Sequence, residues 1–315
     1  MDLIKRIVDK TKQIGVRNLP VEFLKYILGL KKLEDRVSAL EYFLNDFHSP
    51  SEISKTSDPD LRILQLCNTE LLHILDKLFT KHGLKYWLDF GTLLGAKRHG
   101  GFIPWDDDMD ISMPREDYIK AVTLLKGEIE SLGFTMYYDD RYHNYSVGYH
   151  HHQTGIWCDW YAMDFYRTNA PFEQAFNDVK EGIRELRKKN WDKKASIPNL
   201  SSEYQSEILP STPDGKTELV YLMPEVPDPV DEIHSVETLF ELSKIQFEDY
   251  SFNAPKNVDA FLKVEYGEHY MEFPRGGVLH HGTSTGRLPL SQWAKHNGVD
   301  MYATLNTLKE IYNKI

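Results

Sequence analysis

Four aspartates stand within five positions of this chain, at residues 106, 107, 108 and 110. Carboxylates this close together repel one another and raise each other's pKa values, so a cation is expected among them. Mg²⁺, or the related Mn²⁺, is the natural candidate, because Mg²⁺ usually takes one or two carboxylates together with substrate phosphates. The cluster therefore predicts metal-assisted chemistry on a phosphate compound. The alternative is a solvated acidic loop that holds calcium or no ion.

Two of the four acids are the favoured metal ligands and catalytic residues. In the run D-M-D-I, the alternation of a strand would place Asp108 and Asp110 on one face, with Met109 and Ile111 toward the core. Strand interiors are normally poor in aspartate, so two of them at this spacing indicate a function.

A site with two metal ions, which clamps the attacking and leaving oxygens of a displacement, needs a third acid. Asp159 is the candidate, since it stands in the apolar run I-W-C-D-W, where an unpaired carboxylate would be costly to bury. We expect it to bind metal or to act as a base. Asp164 is the alternative, but it would fall on the opposite face of the same strand.

A second element that could hold phosphate precedes the acids. Gly91 and Thr92 follow an apolar run and begin a helix-like one, and the N–H groups at a helix start favour phosphate. Arg98 can bind a phosphate with its forked guanidinium, and His99 lies beside it. Lys97 is either part of this group or a solvated surface charge.

The elements that must position these residues follow from apolar spacing and from breaker residues. The pattern predicts helices over 33–46, about 60–82, 115–132, 172–194 and about 300–313. It predicts strands over 84–90, 109–113 and about 156–165. The proline-rich segment 196–230 reads as a long irregular loop, and the part from about 235 as mixed helix and loop. Strands interleaved with helices indicate the α/β or α+β class.

Composition excludes several functions. The 315 residues carry a formal net charge of −11, which disfavours nucleic acid as a partner. The two cysteines, Cys67 and Cys158, exclude a disulfide framework. No apolar run has the roughly 18 residues of a membrane span and no signal peptide is apparent, so a cytoplasmic location is expected. Residues 1–32 are basic and amphipathic, and they either pack on the protein or touch an anionic membrane at its inner face.

From Asp89 to Tyr118 the sequence reads D-F-G-T-L-L-G-A-K-R-H-G-G-F-I-P-W-D-D-D-M-D-I-S-M-P-R-E-D-Y. This run closely resembles the LicD family of phosphocholine transferases, of which fukutin and fukutin-related protein look like distant members. Weaker similarity continues at Asp159 and in the segments F-E-D-Y-S-F-N-A-P and Y-G-E-H-Y-M-E-F-P, where Tyr266 and Gly267 match a signature of unassigned role. This sequence departs from the family in its basic N-terminal extension, residues 1–50, and in the many Trp and Tyr residues of the strand at 157–161. The cysteine-rich zinc element of the fukutin-related branch is also not evident, since the chain has two cysteines.

The resemblance implies a nucleotidyltransferase-like mixed sheet core flanked by helices. It divides the chain into a helical extension (1–50), a catalytic core (51–170), a helix and proline-rich insertion (171–235) and a C-terminal helix and loop part (236–315). It implies transfer of a phosphorylated small alcohol, with phosphocholine favoured, from a CDP-linked donor such as CDP-choline to a glycan or lipid-linked sugar. By position, Gly91 and Thr92 would hold the donor phosphates, and Arg98 would contact phosphate. The metal, Mg²⁺ or Mn²⁺, would be bound by Asp108, Asp110 and Asp159.

Several further residues are candidate substrate contacts. A choline ammonium would favour an aromatic cage, for which Trp105, Trp157, Trp160 and Tyr161 are available, although packing in the core or an interface is the favoured explanation of these aromatics. His281, with Arg275 and Arg287, could bind an anionic acceptor.

Two other functions stay open. The same acids could serve a nucleotidyltransferase that moves a nucleoside monophosphate from a nucleoside triphosphate to a small molecule or sugar. The chain could also be a non-catalytic binding protein, although acids kept this close without a metal are costly. Release of CMP or of pyrophosphate distinguishes the two enzymes.

Overall fold

The structure is a computed structural model that describes residues 55–56, 58–139, 144–149, 155–191, 209, 211–222, 232–272, 294 and 296–315. The predicted helix over 33–46, the basic segment 1–32 and His281 lie outside the described residues.

Within these ranges, helices and strands alternate along much of the chain. The helices are α1 (Pro59–Lys81), α2 (Phe90–His99), α3 (Arg115–Leu124), α4 (Lys126–Ser131), α5 (Phe172–Trp191), α6 (Val236–Leu239), α7 (Val258–Tyr266) and α8 (Met301–Lys314). The strands are β1 (Trp87–Leu88), β2 (Asp110–Pro114), β3 (Phe134–Asp139), β4 (Asn144–Tyr149), β5 (Trp157–Thr168), β6 (Thr217–Leu222), β7 (Ile233–Ser235), β8 (Ser243–Phe247) and β9 (Tyr250–Ala254).

Seven strands form one mixed sheet around β5. Its order is β1-β2-β5-β4-β3, and β6 pairs with the C-terminal half of β5 and with β7. Only β2 and β5 run parallel, and every other described pair is antiparallel. A separate hairpin joins β8 and β9. The predicted α/β (α+β) class, a mixed sheet core flanked by helices, is confirmed.

Helix α1 is the central packing helix. Asp58 caps its start by accepting the Asp60 N–H at 2.9 Å, and Pro59 occupies the first helical turn. Its apolar stripe, including Leu71 and Leu78, is fully buried. Helix α8 packs along α1, where the Lys77 ammonium donates to the Tyr312 carbonyl at 3.0 Å. None of the helices in the described part of the chain is both long and apolar enough to cross a bilayer.

Most predicted elements are found with small shifts. Helix α1, strand β5, helix α5 and helix α8 match their predicted positions within a few residues. The predicted strand 84–90 is reduced to two residues, because Asp89 caps α2 and the helix begins at Phe90. The predicted strand at 109 begins at Asp110, and the predicted helix 115–132 is divided at Leu125 into α3 and α4.

Other predictions were incomplete. The segment 196–230 is not wholly irregular, since it contains β6. The part after 235 contains the hairpin β8–β9 as well as helix and loop. Strands β3 and β4 were missed, because their alternation is weak and their burial depends on neighbouring strands. Strands β6 and β7 belong to the same sheet as β5, and the four-part division of the chain remains a prediction.

Candidate active site

Asp110 and Asp159 lie side by side on the two parallel strands of the sheet. They are direct register partners of β2 and β5, and the Asp159 N–H donates to the Met109 carbonyl at 2.7 Å. On the other side of β5, Ser146 of β4 is the register partner of Asp159, and its hydroxyl donates to Asp159 Oδ1. Strand pairing thus brings together two acids that are 49 positions apart in the sequence.

The remaining acids form a compact loop just before β2. Carboxylate oxygens of Asp106, Asp107 and Asp108 all lie within 4.8 Å of one another. The Asp106 N–H donates to the Ile103 carbonyl at 2.9 Å, which makes this segment a turn, and Asp106 is buried. Asp108 therefore precedes the strand instead of lying in it. It is still close enough to raise the pKa values of Asp110 and Asp159 through its charge.

The electrostatics of these acids indicate a missing positive charge. Burial, followed by the charges of Asp108, Asp159, Asp106 and Asp89, raises the pKa of Asp110 well above its usual range. Burial and the neighbouring Asp108 and Asp107 do the same to the pKa of Asp106. Burial raises the pKa of Asp159 to about 7, against the opposing hydrogen bond from Ser146. A bound cation or bound protons would offset this repulsion.

Helix α1 fixes the acidic loop through two buried amides that the sequence analysis did not identify. The Gln65 amide donates to the Asp106 carbonyl at 2.9 Å. The Asn68 amide donates to the carbonyls of Asp107 at 3.0 Å and Gly155 at 3.2 Å, and its oxygen accepts the Trp157 N–H at 3.1 Å. The sequence does carry a signal for these contacts, namely two amide side chains on the otherwise apolar face of a predicted helix.

The start of helix α2 faces the same acids. The Asp89 carboxylate accepts the Phe90 N–H at 3.0 Å, and the Thr92 hydroxyl accepts the Asp110 N–H at 2.8 Å. A Cβ at Gly91 would lie 2.8 Å from Asp106 Oδ2, so a larger residue here would force the Asp106 carboxylate to shift. The positive end of the helix thus lies beside Asp106 and Asp89. Phosphate binding by Gly91 and Thr92 remains a prediction.

Arg98 and His99 lie at the other end of α2. The Arg98 guanidinium is buried and donates to His99 Nε2 at 2.9 Å and to the carbonyls of Tyr270 and Glu272, both at 3.2 Å. Burial is the main cause that lowers the Arg98 pKa to about 10. Arg98 therefore ties the segment after α7 to α2. Its predicted contact with phosphate stays a prediction.

The aromatic candidates divide between the core and the neighbourhood of the acids. Trp160 is fully buried against Phe79, with ring centroids 5.3 Å apart, so it belongs to the core. Trp157 and Tyr161 share the face of β5 that carries Asp159, and Tyr161 contacts the Phe90 ring at 5.0 Å between centroids. Trp105 lies against His99, with ring centroids 6.1 Å apart.

Asp164 has a structural role, on the face opposite Asp159 as predicted. The Arg115 guanidinium donates to both of its oxygens at 2.6 Å, and both side chains are buried. A bidentate pair of this kind fixes the start of α3 to β5. The pair with Asp164 explains why an arginine, Arg115, directly follows β2 in the sequence.

The hairpin β8–β9 holds the loop between α2 and the acids. Glu248, at its turn, accepts two hydrogen bonds from Arg62 of α1 at 2.8 and 2.7 Å. The Glu248 N–H donates to the Gly100 carbonyl at 2.8 Å, and a Cβ at Gly101 would lie 2.5 Å from Glu248 Oε1. The F-E-D-Y segment of the sequence therefore acts as a clamp on the loop that leads to Asp106.

The donor set fits a hard divalent cation such as Mg²⁺ or Mn²⁺. Asp106, Asp107 and Asp108 provide clustered carboxylate oxygens, while Asp110 and Asp159 have pKa values raised first by burial and then by neighbouring negative charges. Cations of this kind prefer oxygen ligands and would offset that repulsion. The assignment of Asp108, Asp110 and Asp159 as the ligands remains a prediction.

Comparison with known proteins identifies the class of this domain. Residues 83–198 match the family model described as LicD/FKTN/FKRP, nucleotidyltransferase domain. This match confirms, over residues 83–198, the resemblance to the LicD family that is seen in the sequence. The mixed sheet with flanking helices agrees with that fold.

Three relatives share short stretches with this chain. A 62-residue stretch is 45% identical to the lipopolysaccharide cholinephosphotransferase LicD of Haemophilus influenzae and covers 20% of this chain and 23% of that protein. A 35-residue stretch is 57% identical to the ribitol 5-phosphate transferase FKRP of Homo sapiens and covers 11% of this chain and 7% of that protein. A 73-residue stretch is 45% identical to the uncharacterized protein RP689 of Rickettsia prowazekii and covers 23% of this chain and 27% of that protein. The matched stretches thus span about a quarter or less of these relatives.

Proposed function

We propose that this chain is a phosphotransferase that moves a phosphorylated small alcohol from a CDP-linked donor to a sugar hydroxyl of a glycan, with release of CMP. The observation that carries the proposal is the pairing of Asp110 with Asp159 beside the acidic loop, at the start of α2. The relatives named as cholinephosphotransferase and ribitol 5-phosphate transferase support the type of reaction.

The proposed step is a displacement at phosphorus. The acceptor oxygen forms a bond to the phosphorus that carries the alcohol, and the bond from that phosphorus to the oxygen of CMP breaks. Asp159 has one of two roles in this step: it accepts the acceptor proton as a general base, or it is a ligand of the metal. The Ser146 hydroxyl orients that carboxylate through Oδ1.

The chain's other residues position the donor and its charge. Asp108, Asp110 and Asp159 would hold Mg²⁺ or Mn²⁺, which when bound supplies charge neutralisation for the diphosphate. Gly91 and Thr92 at the start of α2, with Arg98 and His99 at its end, are the proposed contacts to the donor. In phosphoryl transfer, positioning and electrostatic stabilisation supply most of the rate, so no protein nucleophile is required.

Phosphocholine is the first alcohol to test. Trp157 and Tyr161 lie on the face of β5 that carries Asp159, so aromatic side chains adjoin one of the proposed ligands. A quaternary ammonium is attracted to the faces of such side chains, whereas ribitol or glycerol would not need them. A lipid-linked acceptor would bring the reaction to a membrane, where the basic residues 1–32 are the proposed contact.

A thermal-shift panel tests the proposal. The ligands are CDP-choline, CDP-ribitol, CDP-glycerol, CMP, CTP and ATP, each with and without Mg²⁺. A ligand at 100 times its Kd stabilises a protein by about 2.7 kcal/mol, which raises Tm by a few degrees. We expect a Mg²⁺-dependent rise with one CDP-alcohol that is lost in Asp108→Asn. The control is Asp249→Asn, an exposed acid in the β8–β9 turn, which should keep the rise.

The outcomes separate the candidate functions. CMP release on addition of a sugar acceptor supports the transferase, and the responding donor identifies the alcohol. A rise with CTP or ATP alone, with pyrophosphate as product, supports a nucleotidyltransferase. Equal ligand binding by the wild type and Asp108→Asn would contradict a role for the acids.

A further inference from the structure

A second group of potential metal ligands lies beside the acids, between β7 and α7. Glu232, His234 and Glu265 each present a ligand atom, and these atoms all lie within 4.8 Å of one another. Glu232 immediately precedes β7 and His234 lies within it, and the alternation of extended backbone places the two side chains on one face. The backbone fixes this geometry, since the Leu222 N–H donates to the Glu232 carbonyl at 3.2 Å and His234 is the register partner of Val220.

His234 is a buried imidazole without a partner among the described residues. It is 1% exposed, and neither ring nitrogen has a hydrogen-bond partner. Its ring lies flat on Phe261 of α7, with centroids 3.7 Å apart and an angle of 2° between the planes. Phe261 covers one face of the ring, and one ring nitrogen lies within 4.8 Å of a carboxylate oxygen of Glu232 and of Glu265. Buried polar atoms are almost always satisfied, so the nitrogen that faces the carboxylates is a candidate for a bound ligand.

Glu265 completes the group from α7. It follows Phe261 by one helical turn, so the two side chains share a helix face. Both of its carboxylate oxygens are sealed from solvent. In the described part of the chain, Glu265 forms no ion pair with a lysine or arginine, and its nearest charged neighbours are the acids Asp89 and Glu232. Acids buried against one another are costly unless a cation or a proton lies between them.

We propose that Glu232, His234 and Glu265 bind a transition-metal ion, with Zn²⁺ or Mn²⁺ as the probe. An imidazole nitrogen with carboxylate oxygens suits these ions, whereas Mg²⁺ prefers oxygen ligands and retained water. The ion would join β7 to α7 and so fix the segment that continues to Tyr266 and Gly267. Its three ligands are distinct from Asp108, Asp110 and Asp159, although the Asp110 charge acts on Glu265. The proposal does not depend on the transferase proposal.

The wild-type chain provides the first test. We expect about one equivalent of a transition metal per chain by mass spectrometry of the purified protein. Chelation should lower Tm by several degrees, and Zn²⁺ but not Mg²⁺ should restore it. Co²⁺ added to the chelated protein should give visible absorption bands with one-to-one stoichiometry. Absence of metal together with no uptake of Co²⁺ would overturn the proposal and would indicate a proton shared between Glu265 and Asp89.

Variants then assign the ion to these residues. His234→Gln and Glu265→Gln should each lose the Co²⁺ bands. His73→Gln is the matched control, because His73 is also a stacked histidine, packed between Tyr250 and Tyr312 at 3.7 Å. Asp108→Asn should keep the Co²⁺ bands while it loses the Mg²⁺-dependent nucleotide shift. The reverse pattern, with the bands lost in Asp108→Asn and kept in His234→Gln, would place the ion in the acidic loop and refute the proposal.

Discussion

At the scale of single residues, this molecule concentrates buried carboxylates where two parallel strands meet. Asp110 and Asp159 are adjacent, and each has a pKa raised first by burial and then by neighbouring acids. Such an arrangement costs stability in the metal-free protein and creates affinity for a cation. The same groups therefore link stability, pH and metal.

The raised pKa of Asp159 predicts the direction of the pH dependence. Between its ordinary value of 3.8 and its folded value of about 7, the folded chain binds more protons than the unfolded chain. Stability of the metal-free protein should therefore fall as pH rises from 5 to 8. Asp159→Asn should show a smaller fall in Tm, measured in chelator across this range. Parallel curves for the wild type and the variant would contradict the assignment.

Gly91 tests the close approach of α2 to the acidic loop. In Gly91→Ala, the new methyl group would lie 2.8 Å from Asp106 Oδ2. We expect a loss of about 1–3 kcal/mol in the free energy of unfolding, typical of overpacking, and a weaker Mg²⁺-dependent ligand shift. Denaturant titration measures the first effect and thermal shift the second.

The matched control for that variant is Gly127→Ala in α4, where an added Cβ meets nothing within 4 Å. Alanine is favoured over glycine in a helix by about 0.5–1 kcal/mol, so this change should leave the protein as stable or more stable. Equal effects at the two glycines would show that contact with Asp106 is not the cause.

At the scale of elements, the site depends on helices and a hairpin that carry none of the predicted catalytic residues. Helix α1 holds the acidic loop through Gln65 and Asn68, and the β8–β9 turn holds the preceding loop through Glu248. Neither contact follows from local periodicity, since each joins segments that are far apart in the sequence. Helix α1 itself was predictable, because its cap and apolar stripe are local features.

The pair of Arg62 and Glu248 should be a strong link between elements. Their side chains are 20% and 5% exposed and form two hydrogen bonds. Arg62→Ala leaves a buried carboxylate without its partner and should cost about 3 kcal/mol in denaturant unfolding. Arg62→Ala combined with Glu248→Ala should cost less than the sum of the two single changes.

An exposed ion pair provides the comparison for the single and double changes at Arg62 and Glu248. Lys263 and Glu268 are 2.7 Å apart, but their side chains are 45% and 73% exposed. Exposed pairs contribute little, so Lys263→Ala should leave the unfolding midpoint unchanged within error. Additive single and double changes at Arg62 and Glu248 would refute the proposed clamp.

At the scale of the whole molecule, α8 covers the face of α1 that is remote from the acids. Cys67 is fully buried there, with Sγ 3.7 Å from the Met301 carbonyl, and burial raises the pKa of its thiol to about 12. Cys158 is equally buried within β5. Both thiols should therefore be protonated and shielded in the native chain.

Thiol labelling tests this packing. Neither cysteine should react with Ellman's reagent in the native protein, and two should react after unfolding. Leu308→Ala removes a fully buried side chain of α8 and should lower the free energy of unfolding by about 2–5 kcal/mol. It should also increase the labelling rate of Cys67 more than that of Cys158. Lys314→Ala, at an exposed position of the same helix, should leave the labelling unchanged. Rapid labelling of the native wild type would contradict the described packing.

The sequence by itself determined the mixed class of fold, most of the helices, the strand that carries Asp159 and the acids on which the proposed chemistry depends. These features follow from local patterns: caps, apolar periodicity and the spacing of carboxylates. Tertiary structure alone decided the pairing of Asp110 with Asp159, the joining of β6 and β7 to the sheet, and the meeting of His234 with Glu265. The reason is that strand register and helix docking are contacts between distant segments, whose free energy depends on the burial that only the assembled fold creates.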